Sequence, residues 1–256
     1  MRPLYHALFL SDPHFPTHNK VMLEGKDAKI FKLLRNGKRK YKKIILIGDT
    51  VCFDDFMSHD PIPGKGSDTL LTFELIEEFY TNLRKAAPSA EIWQVEGNHE
   101  QRLERYLVRR APHLLPLNCL SIPSLFKLDK HNIKWKGTRD RLNLDGLKVT
   151  HGSVVRPKGG NSARKELEDN DFKPGVSGHT HRLGWVKDHG GTWLELGNLA
   201  DPDYSVSAQY MNDKNPQWQS GFGEGTCCVD DRGNFHWILR TVEIVNDHFM
   251  VDGVMY

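Results

Sequence analysis

The chain of 256 residues is 38% hydrophobic and nearly charge-balanced, with 35 basic and 33 acidic side chains for a formal charge of +2. That length and apolar content suit one domain over residues 1–256. The small net charge argues against a protein held to nucleic acid mainly by a broad basic surface.

The apolar run at residues 4–10 is interrupted by His6 and stopped by Asp12. It is too short and too polar for a signal peptide or a membrane span, and it predicts a buried strand in a cytoplasmic protein. Cys52, Cys119, Cys227 and Cys228 show no C-x-x-C spacing, so they read as reduced, mostly buried thiols. The loop leaving the first strand is Ser11-Asp12-Pro13-His14. Residues 26–34 predict a short helix, followed by a basic run at 38–43. Ile44-Ile45-Leu46-Ile47 is a β-branched apolar run, a central-strand signal that ends at Gly48-Asp49.

Pro61, Pro63, Gly64 and Gly66 mark a loop into a helix that starts at Ser67 and ends near Pro88. The next strand, residues 91–96, ends at Gly97-Asn98-His99-Glu100, and a helix follows with Leu103, Tyr106 and Leu107 on one face. Strand, loop and helix in repetition imply an open α/β sheet with functional residues at the carboxyl ends of its strands.

The second half is built of hairpin signals. Asp145-Gly146 divides two apolar runs, as do Gly190-Gly191 and the stretch from Asp230 to Gly233. Val176-Ser177 leads into Gly178-His179-Thr180-His181. No repeat or long linker splits the chain, and two packed sheets covered by helices are the natural architecture.

Ligand-type side chains recur at the ends of these strands: Asp12 and His14, then Asp49, Asn98 with His99, His151, and His179 with His181. Each alone has a plainer reading. Asp12-Pro13-His14 is an ordinary turn, Asp49 a helix cap, and Asn98 a turn former tolerant of left-handed backbone. Their occurrence in order, each after an apolar run, is what points to one shared site on the sheet rim. Carboxylate, amide oxygen and imidazole together suit Mn, with Fe, Zn and Ni as alternatives, better than a thiolate-binding metal.

The series Asp12-x-His14, Gly48-Asp49, Gly97-Asn98-His99-Glu100, His151-Gly152 and Gly178-His179-x-His181 resembles the calcineurin-like metallophosphoesterases. The stretch from Glu96 to Tyr106 and the segment Trp218-x-x-Gly221-Phe222-Gly223 resemble the small phage-type branch of that superfamily. The resemblance implies a four-layer α/β/β/α sandwich of two mixed sheets flanked by helices. It implies two divalent ions, the first held by Asp12, His14 and His181, the second by Asn98, His151 and His179, with Asp49 bridging. It also makes His99 a phosphate-facing acid near the leaving oxygen. Such a centre hydrolyses phosphate esters with a hydroxide shared between the ions. Arg102 and Arg182 are candidates for phosphate binding, because guanidinium matches phosphate geometry.

One position departs from the pattern. Many relatives read Gly-Asp-x-x-Asp, and in the protein phosphatases the second aspartate orients the catalytic histidine. Cys52 stands there in this chain, with Asp54 and Asp55 nearby as substitutes. Phe53 replaces the arginine that follows in protein phosphatases, and both absences count against a Ser/Thr protein phosphatase.

For the substrate, a phosphodiesterase acting on nucleic acid or nucleotides draws on the phage-type resemblance, the basic run at 38–43 and the aromatics Trp185, Trp193, Tyr204, Tyr210 and Trp218, although strand aromatics are more often core and a basic run more often a solvated loop. A phosphomonoesterase acting on a protein or metabolite is the alternative. A non-catalytic scaffold is disfavoured, because every ligand position and His99 are retained. Segments 58–66 and 201–225, rich in glycine, proline and polar residues, read as rims or lids over the site.

Overall fold

The computed structural model describes residues 1–56, 68–138, 141–201 and 217–256. Strand β1 (Arg2–Leu10) is followed by the short helices α1 (Lys20–Leu23) and α2 (Lys29–Asn36) and by β2 (Tyr41–Ile47). Helix α3 (Thr69–Ala86) begins where the Asp68 carboxylate accepts the Leu71 N–H at 3.0 Å, an N-cap bond. It buries Thr72, Ile76, Phe79, Tyr80 and Leu83 at helical spacing, while Leu70 at its start faces solvent. Next come β3 (Glu91–Val95), α4 (Glu100–Arg110), α5 (Ile122–Leu125) and β4 (Ile133–Lys136).

The hairpin of β5 (Leu142–Leu144) and β6 (Leu147–Thr150) turns on Asp145 and Gly146, both at positive φ as the tight two-residue turn requires. After α6 (Asn161–Asp169) and β7 (Gly175–Ser177), a second hairpin joins β8 (Gly184–Asp188) to β9 (Gly191–Glu195). Its positive-φ pair is His189-Gly190 rather than Gly190-Gly191, since Gly191 already belongs to the strand. Two long strands, β10 (Gly221–Val229) and β11 (Phe235–Glu243), and a small terminal hairpin, β12 (Met250–Val251) with β13 (Val254–Met255), complete the chain.

The strands form a six-stranded sheet in the order β11-β10-β1-β2-β3-β4 and a five-stranded sheet in the order β5-β6-β7-β9-β8. Both are mixed. The run β1-β2-β3-β4 is parallel and β10 and β11 are antiparallel additions; in the second sheet β6, β7 and β9 are parallel.

Period-2 alternation assigns the layers. Leu8 and Leu10 of β1 and Ile44 and Leu46 of β2 face a core shared with α1, α2 and α3. Their neighbours Ala7, Phe9, Ile45 and Ile47 face the opposite way, against Leu147, Val149, Val176 and Leu194 of the second sheet. On the outer face of that sheet Trp193 packs against Ala163 and Leu167 of α6. Helix, sheet, sheet and helix are the four layers.

Several expectations are corrected. Residues 217–225 are not a continuous rim, because from Gly221 onward they form β10, hydrogen-bonded between β1 and β11. Trp193, by contrast, follows the core reading expected of strand aromatics: it is completely buried, with its indole N–H on Ser177 Oγ at 3.0 Å. Tyr106, one turn from Leu103 on α4, is 37% exposed and packs its ring against Phe56 rather than being buried as Leu103 and Leu107 are. The helix expected from Ser67 is described from Thr69. The expected loop at 61–66, the segment 58–66, residues 202–216, Tyr204 and Tyr210 lie outside the described residues. Among the described residues no helix is long and apolar enough to cross a membrane.

Candidate metal centre

Parallel strands place their carboxyl ends on one rim, so the loops after β1, β2, β3, β6 and β7 meet although 140 or more residues separate some of them. Asp12 leads the first of these loops. The single Ser11 hydroxyl proton is shared between its Oδ2 and the Ile47 carbonyl, 2.9 Å from Ser11 Oγ, and the His179 N–H donates to the same Oδ2 at 3.0 Å. This leaves Asp12 Oδ1 fully buried with no hydrogen bond among the described residues. It lies 3.3 Å from His181 Nε2 and 3.7 Å from His14 Nε2, while the two imidazole nitrogens stand 3.0 Å apart. A buried carboxylate oxygen facing two ring nitrogens is a donor set that a cation satisfies.

A second set adjoins the first. His151 Nδ1 donates to the Ile47 carbonyl at 2.9 Å, which fixes the ring and turns Nε2 toward Asp49 Oδ2 at 3.2 Å and Asn98 Oδ1 at 3.0 Å. Asp49 Oδ1 accepts the His99 N–H at 2.8 Å. The ligand atoms of Asp12, His14 and His181 lie within 4.8 Å of one another, as do those of Asp49, His151 and His179. Asp49 also groups in this way with His14 and His99, so it stands between the two sets. The fold thus brings together the residues that the resemblance assigns to each ion.

The backbone here is forced into unusual shapes. Asp12, His14, Asp49, His179 and His181 all have φ between 48° and 74°, a left-handed region that non-glycine residues seldom occupy. Such strain costs on the order of 1 kcal/mol or more per residue and gathers at functional sites. Gly97 supplies the close approach: a Cβ there would lie 2.3 Å from both the Asp49 nitrogen and its Oδ1.

Electrostatics follow from this crowding. Burial raises the Asp12 and Asp49 carboxyls, but His151 and the imidazoles beside each outweigh it and hold both well below the usual carboxylate range. His151 answers to the same pairs. Burial disfavours its charge, yet Asp49 and Asp12 push it up to about 10. Burial holds His14, His99 and His179 below the ordinary imidazole value.

His99 sits beside the second set, its Nε2 3.7 Å from Asp49 Oδ2. The substitution at Cys52 is resolved by the main chain: the Cys52 carbonyl, not a carboxylate, accepts His99 Nδ1–H at 2.8 Å. The Cys52 thiol itself donates to the His14 carbonyl at 3.2 Å. Arg102 donates to His99 Nε2 at 2.8 Å, so that candidate lies at the centre. Arg182 instead donates to the Arg156 carbonyl at 2.7 Å, on the loop after His151.

Two supporting acids carried no role in the sequence. Glu100 is wholly buried and accepts backbone N–H groups from Asp49, Thr50 and Gly97. Glu195, equally buried, accepts Thr180 Oγ1–H within the Gly178-His179-Thr180-His181 loop and the Gly160 N–H at the start of α6. A signal for Glu195 was present, a lone charge in the apolar run Trp193-Leu194-Glu195-Leu196.

The family model described as calcineurin-like phosphoesterase matches residues 5–205, most of the chain. The chain belongs to the calcineurin-like phosphoesterase family. It is also similar to the phage protein named "Gene 54 protein" of Mycobacterium phage D29, 32% identical over 177 residues, and to its namesake in Mycobacterium phage L5, 31% identical over 175 residues. Each match spans 62% of this chain and 63% of the relative's length. Among solved structures, Vps29 of Cryptosporidium parvum aligns over 98% of this chain and 96% of its own, with a TM-score of 0.48 and 14% identity.

Proposed function

We propose that this chain hydrolyses phosphate esters at a pair of divalent cations, with phosphodiesters of nucleic acid or nucleotides as its substrates. The observation that carries this reading is the junction at Asp49 of two buried donor sets, Asp12-His14-His181 and His151-His179 with Asn98. Their oxygen and nitrogen donors suit manganese, with iron, zinc and nickel as competitors. When bound, such ions would supply a water of lowered pKa and offset charge on the phosphate oxygens.

The chain's own groups do the rest. Asp49 joins the two halves of the site. His99, held through Nδ1 by the Cys52 carbonyl, presents Nε2 to the reacting region; the proton it gives to the leaving oxygen is one that Nε2 takes up when phosphate charge replaces the Arg102 contact. Asp12 and Asp49 remain ionised, as ligands must. A cytoplasmic setting accords with the free cysteines at Cys52, Cys119, Cys227 and Cys228.

Diesters are favoured by Trp218, whose ring centroid lies 4.5 Å from that of His181 and places an aromatic surface at the rim. The basic run gives no such support, because Lys42 and Lys43 sit at the start of β2, the end opposite Asp49. A monoesterase remains the second reading on one observation: the Arg102 fork beside His99 suits the extra charged oxygen of a monoester.

The test is a metal-free preparation reconstituted with single metals and assayed on bis-p-nitrophenyl phosphate and p-nitrophenyl phosphate. Faster turnover of the diester with manganese is expected. Preference for the monoester would shift the substrate assignment, and no metal-dependent turnover of either would end the hydrolase proposal.

A further inference from the structure

Among the described residues, one charged network outside the ligand sets touches the reacting region. Arg102 NH1 donates to Asp54 Oδ1 at 2.8 Å and to the Cys52 carbonyl at 2.7 Å, while NH2 donates to His99 Nε2 at 2.8 Å. The protons in this chain of bonds are assigned by elementary chemistry. A carbonyl only accepts, so His99 carries its proton on Nδ1. A guanidinium only donates, so Nε2 turns its lone pair toward Arg102.

We infer that Asp54 is a positioning residue, which sets the Arg102 guanidinium against His99 so that both converge on one phosphate oxygen. The inference rests on the proposed phosphoesterase reading and deepens it. NH2 stands 2.8 Å from Nε2, so a phosphate oxygen can sit within hydrogen-bond range of both, replacing Nε2 as the acceptor from NH2 while Nε2, protonated in its presence, donates to it. The arginine then binds phosphate without leaving its place, because NH1 stays anchored at Asp54 and Cys52.

The ion pair is not placed there for stability. The Arg102 side chain is 20% exposed and that of Asp54 38%, and pairs so open to water contribute little to folding. What Asp54 provides is order. An arginine side chain loses much rotamer freedom when fixed, and a planar fork held at one nitrogen delivers the other in a defined direction.

The experiment compares Asp54→Ala, Asp54→Asn, Arg102→Ala and the double variant Asp54→Ala/Arg102→Ala, each loaded with manganese. Inorganic phosphate affinity is read by calorimetry and kcat/KM on bis-p-nitrophenyl phosphate. Partners that orient a site residue typically contribute about 10- to 100-fold. Asp54→Ala is expected near the lower figure and Arg102→Ala near the upper, with manganese content unchanged. The double variant should be no worse than Arg102→Ala, because Asp54 acts only through the arginine. Equal losses from Asp54→Ala with and without Arg102, or wild-type phosphate affinity in Asp54→Ala, would overturn the assignment.

A second measurement is independent of turnover. In the metal-free protein, imidazole nitrogen NMR should find the His99 proton on Nδ1, with the Nε2–H tautomer gaining population in Arg102→Ala and, to a smaller degree, in Asp54→Ala. An unchanged tautomer in both variants contradicts the network. Should the wild type hydrolyse neither ester, the phosphoesterase reading fails, while phosphate affinity and the His99 tautomer still decide the role of Asp54.

Discussion

The Glu100 carboxylate closes directly on the backbone of Asp49, accepting its N–H at 3.0 Å through the oxygen that also takes the Gly97 N–H at 2.8 Å. The other oxygen accepts the Thr50 N–H at 2.7 Å. One side chain therefore fixes the loops after β2 and β3 to each other, and it does so at the first residue of α4.

Replacing this group tests its weight. Burial first, and the charge of Asp49 second, push the Glu100 carboxyl from 4.5 up to about 7. A raised carboxyl contributes stability that is complete below its unfolded value and is lost as pH rises through about 7. Glu100→Gln places an amide N–H against backbone donors and should destabilise the metal-free protein by roughly 1–3 kcal/mol. In urea unfolding the deficit should narrow above pH of about 7, where the wild type loses its own advantage. A deficit that widens instead would contradict the assigned shift.

Asp49→Asn and His99→Ala should fail in different ways. The amide in place of Asp49 removes the charge between the two donor sets, so bound manganese should fall along with activity. His99 stands outside the ligand roles, so His99→Ala should retain its manganese and lose about 10²- to 10⁴-fold in turnover. The loss should be greater for esters of poor leaving groups, which need the proton most. Metal analysis beside kinetics on a leaving-group series separates the two; full activity in Asp49→Asn with unchanged metal would remove the two-ion proposal.

Metal binding should strengthen with pH. Burial opposes the charge on His151, but Asp49 and Asp12 push it up to about 10, so a metal ion entering this protein displaces a proton. The sign follows: proton binding by His151 stabilises the metal-free fold fully below pH of about 6.5 and ceases to do so as pH rises through about 10. Manganese affinity should therefore climb by up to about tenfold per unit of pH across the neutral range. Calorimetry in two buffers of different ionisation enthalpy should detect the released proton. Affinity that stays flat with pH would count against His151 as a ligand.

Gly97→Ala should abolish the centre while leaving the sheets in place. The new Cβ would stand 2.3 Å from the Asp49 nitrogen and Oδ1, with no flexible chain end to yield. Overpacking of this kind costs roughly 1–3 kcal/mol and moves backbone. Gly233→Ala is the control: φ is +84° but the space around it is open, so its strain of roughly 1–2 kcal/mol should leave manganese binding intact. Circular dichroism with a manganese titration distinguishes the pair.

How far the sequence reached depended on the length scale of each signal. Alternation and turn chemistry are local, so Ile44 to Ile47 and the turn at Asp145-Gly146 were readable directly. The origin of the β8–β9 turn shifted by one residue because His189 takes a positive φ that its residue type does not advertise. Trp193 and Trp218 look alike in sequence. One is sealed under α6 and the other lies against His181, and that depends on which face of which sheet each meets.

By itself the order of residues determined that acids, an amide and imidazoles would stand at the carboxyl ends of parallel strands, since strand-end position is a short-range property. Only the tertiary structure decided what surrounds them: that a Cys52 carbonyl holds His99, that Asp54 reaches His99 through Arg102, and that Glu100 ties Asp49 to Gly97. Those bonds join backbone and side-chain atoms across separate loops, and no spacing along a chain encodes the direction in which a carbonyl or a guanidinium finally points.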